Sequence, residues 1–124
     1  MLKEGLEYTS EVVVNKANCA SAVGSGGLDV FATPSMVALM ENAAMNAVAP
    51  HLAEGQTTVG TQITTSHIKA SALGATITAT AILTAVDGRS LTFAITARDG
   101  ENIIGEGVHT RFVVDRERFL SKLK

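Results

Sequence analysis

The chain has little of what crosslinks, ligates metal or builds stacking surfaces: one cysteine, no tryptophan, one tyrosine and four phenylalanines in 124 residues. A lone Cys19 excludes an intramolecular disulfide, and no CxxC or Cys/His cluster offers a zinc site. A reducing, cytoplasmic setting fits that usage. Charge is scarce too. Asp, Glu, Lys and Arg make up 18% of residues and the net charge is −2, which leaves no electrostatic footprint for nucleic acid or an anionic membrane. No apolar run approaches the roughly 18 residues of a membrane span, and the N-terminal MLKEGLEYTS lacks the apolar core of a signal peptide. A soluble protein is expected. A G-x-S-x-G elbow, a phosphate loop and a dinucleotide fingerprint are all absent.

What is present is a globular composition, 46% hydrophobic, at the commonest size of a single domain, so residues 1–124 are expected to form one. A monomer this small buries only about two-thirds of its unfolded surface, which leaves apolar area for a second subunit. Residues 6–16 alternate Leu6, Tyr8, Val12 and Val14 against polar neighbours, the period of a half-buried strand. A loop with Gly24, Gly26 and Gly27 follows, then FATPSMVALMENAAMNAV, a helix apolar over most of its circumference. From residue 57 the chain turns to β-branched residues: 57–69, 75–86, 90–98 and 102–114 read as four strands. Asp87-Gly88 and Asp99-Gly100 are hairpin signals, so the last three strands should form an antiparallel meander. Asp115 is placed to cap a short terminal helix. One strand, one apolar helix and four more strands make an α+β domain in which a curved antiparallel sheet wraps the long helix, a hotdog arrangement.

Few residues carry chemistry. On the helix, Ser35, Asn42 and Asn46 share a polar stripe about 40° wide, and Glu41 lies about 120° away among apolar neighbours. Such a carboxylate either reaches a helix end or a rim open to water or finds a partner, and because Lys and Arg are absent from residues 31–50 any partner must come from another element. Thr33 before Pro34 fits an N-cap, and a hydroxyl there also sits at the positive end of the helix dipole, where negative charge could develop. His67, sharing a strand face with Val59, Thr61, Ile63 and Thr65, is either a satisfied structural imidazole or a general base. His109 alternates with Arg111, Gly105 and Gly107 on one face; a twist, a bulge or a close neighbour would explain the glycines. His51, just past the helix, favours its dipole.

The stretches DVFATPSMVALMENAAMNAVAPHLAEGQTTVGTQITTSHIKASALG, VDGRSLTF and IGEGVHTRFVVDRERF resemble the bacterial fluoroacetyl-CoA thioesterase family of the hotdog superfamily. The resemblance implies a homodimer, with pairing into tetramers left open, and active sites near the subunit interface. It implies an acyl-CoA thioesterase that hydrolyses a small or medium acyl thioester without a metal or organic cofactor. It also implies a catalytic set of Thr33, Glu41 and His67, a Gly60 backbone against the reacting carbonyl or water, and Arg111 beside the site. The family's fluoroacetyl-specific enzyme carries a Pro- and Phe-containing lid before the helix. Here AVGSGGLDV stands in its place, so fluoroacetyl selectivity is not implied. Two alternatives are a non-catalytic acyl-CoA-binding hotdog module and an enoyl-CoA hydratase; the latter's Asp and His helix-loop signature is missing.

Overall fold

The computed structural model describes residues 2–124. The N-terminal alternation becomes β1, Glu7–Val13. It stops short of the expected residue 16 because Asn15 and Asn18 fold the chain back: Asn15 Oδ1 accepts from the Ala17 and Asn18 backbone N–H, and Asn18 Oδ1 accepts from that of Asn15. The glycine-bearing loop holds a four-residue helix the sequence did not announce, α1, Ala20–Val23, closed by Gly24 at φ 78°. The long helix α2 spans Thr33–Val48 and runs into a 3-10 turn at Ala49–His51. Next come β2 (Gln56–Thr65), β3 (Thr76–Asp87), β4 (Ser90–Asp99), β5 (Asn102–Asp115) and α3 (Arg116–Ser121).

The strands form one antiparallel sheet in the order β1-β3-β4-β5-β2. The expected meander is there, with Gly88 and Gly100 both at φ 61° in its turns. The sheet curls around α2 as a half-barrel, the expected hotdog arrangement. Met36, Met40, Ala43, Ala44 and Val48 of α2 are fully buried against Ile77, Leu83, Leu91, Phe93 and Ile95. The helix packs mainly on β1 and β3 and only lightly on β2. Its polar stripe meets the sheet margin: Ser10 Oγ donates to Asn42 Oδ1 at 2.6 Å, and Asn46 Nδ2 donates to the Asn42 carbonyl at 2.9 Å. Glu41, on another side, is turned toward β2 and β5.

Three further expectations change. Ala32, not Thr33, occupies the N-cap position and no side chain caps α2, because Thr33 already has helical backbone geometry and its hydroxyl turns elsewhere. β2 ends at Thr65, so His67 is not on a regular strand, and a register shift between Gly60 and Gln62 leaves Thr61 as an extra residue. Asp115 does stand at the N-cap of α3, but its carboxylate makes no capping bond and pairs with Arg89 at 3.5 Å.

Candidate active site

Thr33 and His67 meet although 34 residues separate them: Thr33 Oγ1 and His67 Nδ1 are 2.7 Å apart. Backbone bonds on both sides bring them together. Residues 30–32 are tied down by Phe31 N–H to the Ser71 carbonyl and Ala32 N–H to the Asn18 carbonyl, which fixes the start of α2. Beyond β2, Ser66 N–H donates to the Glu106 carbonyl and Ile68 N–H to the Ile104 carbonyl, so His67 is carried along β5 on an irregular segment. Gly105 makes that approach possible, since a Cβ there would stand 2.5 Å from the Ser66 carbonyl oxygen. A close backbone neighbour therefore accounts for a glycine on the His109 face.

His67 Nε2 is buried and has no partner at hydrogen-bonding geometry among the described residues. Burial pulls the imidazole below its ordinary value, with the Lys69 backbone partly opposing that shift. A neutral ring that turns an Nδ1 lone pair to a hydroxyl can act as a base toward it. The pair opens into a cavity of about 270 Å³ whose other walls include Ala20 of α1, Ser25 just after it, Phe31 and Lys69. A larger groove of about 470 Å³ runs between β5 and α3 and holds none of the expected site residues.

Glu41 has the partner its helix could not supply. Arg111 of β5 places one guanidinium nitrogen 3.7 Å from Glu41 Oε2. Arg111 is itself buried, donating from Nε to Thr58 Oγ1 at 2.8 Å and from its second terminal nitrogen to the Thr58 carbonyl at 2.9 Å. His109 Nε2 lies 3.2 Å from the nitrogen that faces Glu41, and His109 Nδ1 lies 2.8 Å from the Gln62 carbonyl. Burial lowers the His109 pKa; the Gln62 bond opposes this, the Arg111 charge reinforces it and Glu41 opposes it. Gly60 makes room for the carboxylate, because a Cβ there would come within 2.8 Å of Glu41 Oε2.

The five expected residues thus fall into two groups within one chain. Thr33 and His67 form one; Glu41, Gly60 and Arg111 form the other. Among the described residues, His67 makes no ion pair or hydrogen bond with Glu41. Eight helical residues, about 12 Å of rise, separate Glu41 from Thr33. Thr58 and the buried role of His109 were missed. The alternation of His109 with Arg111 was a signal for the latter, whereas Thr58 gave none. No cluster of metal-ligating side chains occurs among the described residues, and no helix is long and apolar enough to cross a membrane.

Residues 14–117 match the family described as fluoroacetyl-CoA-specific thioesterase. The fluoroacetyl-CoA thioesterase of Streptantibioticus cattleyicolor is 44% identical over 96 residues, covering 77% of this chain and 69% of that protein. A solved structure of the fluoroacetyl-CoA thioesterase superposes with a TM-score of 0.93 at 36% identity, over 99% of this chain and 96% of the other. A hot-dog-like protein from Thermanaerovibrio acidaminovorans shares the fold, with a TM-score of 0.89 at 20% identity over 98% of this chain and 90% of its own. The chain belongs to the fluoroacetyl-CoA-specific thioesterase family.

Proposed function

We propose that this protein is an acyl-CoA thioesterase that hydrolyses a short acyl thioester to the free acid and CoA, working as a homodimer in the cytoplasm. The observation that carries the reading is the 2.7 Å contact between Thr33 Oγ1 and His67 Nδ1 at the mouth of a small cavity. In that geometry the hydroxyl donates to Nδ1 and the imidazole proton resides on Nε2. His67 takes the proton as Thr33, or a water in its place, attacks the thioester carbon. The first-turn N–H groups of α2 and the positive end of its dipole stabilise the oxyanion. The thiolate leaves readily, so a strong general acid is not needed.

The separation of Glu41 from His67 supports a composite site. β2 is an edge strand, and a second copy pairing along it would bring its own Glu41 toward the His67 of the first. That carboxylate would accept from the Nε2–H that has no partner in the single chain. The small cavity, bordered by Ser25 and Lys69 and lacking the family's aromatic lid, favours a short acyl group over a fluorine-selective pocket.

Thiol release across a panel of acyl-CoAs, measured on the wild type and on Thr33→Ala and Glu41→Gln, tests the reading. The wild type should release thiol fastest from short acyl groups and both variants should be nearly inactive. Mixing the two inactive variants should regenerate activity, because a mixed dimer contains one site with an intact Thr33, His67 and Glu41. Thiol release from none of the thioesters would refute the enzyme, and inactivity of the mixture would refute the composite site.

A further inference from the structure

We infer that His109 is a positioning residue: it holds the Arg111 guanidinium off the Glu41 carboxylate, so that the carboxylate oxygens remain free for the reaction. The inference rests on the proposed catalytic role of Glu41. A carboxylate beside an unrestrained guanidinium closes to paired hydrogen bonds of about 2.8 Å. Here Glu41 Oε2 stands 3.7 Å from Arg111, within ion-pair range and beyond a hydrogen bond. No hydrogen bond reaches that carboxylate from any described residue, although it faces a fully charged partner.

The reason lies in where the Arg111 donors go. Nε and one terminal nitrogen are taken by Thr58, which fixes the plane of the fork. The other terminal nitrogen donates to His109 Nε2 at 3.2 Å. His109 accepts there only while its proton is on Nδ1, and the Gln62 carbonyl at 2.8 Å holds it there. Gln62 is the residue at which the β2 register resumes after the bulge, so the irregularity in β2 sets the tautomer of a histidine on β5. His109 is 1% exposed, and its ring is tilted at 32° to that of Phe93 of β4 with centroids 6.3 Å apart. The charged groups facing it are Arg111 on its own strand and Glu41 on α2; β2 presents the Gln62 carbonyl and β4 the Phe93 ring. A cationic His109 would lose its acceptor and release the guanidinium, and burial keeps the ring neutral.

His109→Leu removes the acceptor. His109→Gln keeps a carbonyl for Arg111 and an amide for Gln62. Carboxylate 13C NMR on glutamate-labelled protein, with Glu41 assigned through Glu41→Gln, reads the titration midpoint of Glu41 directly, alongside kcat and KM. In His109→Leu the fork should close on Glu41, lowering its midpoint by about half a pH unit or more and kcat by about tenfold, with KM nearly unchanged. His109→Gln should restore the midpoint and most of kcat. An unmoved or raised midpoint in the leucine variant overturns the inference. So does a displaced midpoint in the glutamine variant, which decides the matter alone where leucine prevents folding. The midpoint is read without turnover, so absence of thiol release would sink the proposed catalysis and leave the positioning of Glu41 still decided by NMR.

Discussion

Thr33–His67 and Arg111–His109 each pair a histidine with a polar partner, and the chain holds them in opposite ways. His67 rides on an irregular segment beyond β2, makes one side-chain hydrogen bond and leaves Nε2 unmatched. His109 sits in the middle of β5 with both ring nitrogens engaged, next to a guanidinium whose three nitrogens are all bonded. Groups that must exchange protons with a substrate need spare valence and access. Groups that set the position of a charge need several bonds that fix their orientation. On the proposed reading, the same side chain serves as a reacting group in one place and as a strut in the other, according to its surroundings.

Loss of His67 should do the most damage to turnover and little to folding. His67→Ala should lower kcat about 10²–10⁴-fold, the range for a general base, with thermal unfolding nearly unchanged because a single partly exposed hydrogen bond is lost. A large drop in stability with kcat preserved would reverse the assignment of the two pairs. Arg111→Met should show the opposite emphasis, destabilising the protein by about 2 to 4 kcal/mol in denaturant unfolding. It strands Thr58 and His109 in a buried site and leaves Glu41, which is partly exposed, without its counterion. A stable Arg111→Met would mean that the buried network is dispensable.

The smallest effect is one of pH. Both histidines have pKa values lowered by burial, so the unfolded chain binds protons that the folded chain does not. Their contribution to stability is intact above the ordinary imidazole value of about 6.5 and declines as pH falls below it. The denaturation midpoint should drop between pH 7.5 and 5.5, and less so in His109→Gln. A midpoint that rises on acidification would show that the rings gain charge on folding.

Much of this was legible in the sequence for identifiable reasons. Period-two alternation and two Asp-Gly turns marked the meander, and an almost wholly apolar helix required a sheet curled about it. The absence of Lys and Arg from residues 31–50 correctly placed any partner of Glu41 on another element. What was hidden depends on register. Extrapolating alternation from Val59 to His67 fails at the extra residue Thr61, and α1 is too short to show a period. Thr58 belongs to the Arg111 site only because β2 runs antiparallel beside β5 with Thr58 opposite Val113, a pairing no local pattern specifies. Thr33 looked like a cap because threonine before proline is what a helix start favours, and only the structure shows that Ala32 holds the N-cap while the Thr33 hydroxyl lies 2.7 Å from His67.

The bond from Ser10 to Asn42 at the margin of the sheet has a meaning beyond its own energy. A helix lined with alanine and methionine presents much the same smooth surface at many angles, so greasy packing alone sets its rotational phase poorly. Asn42 follows Glu41 immediately, and one residue is about 100° of turn. Pinning the amide to β1 therefore works as an index mark on a dial: it stops α2 from rolling and aims the adjacent acid, a little over a quarter turn around the helix, at Arg111.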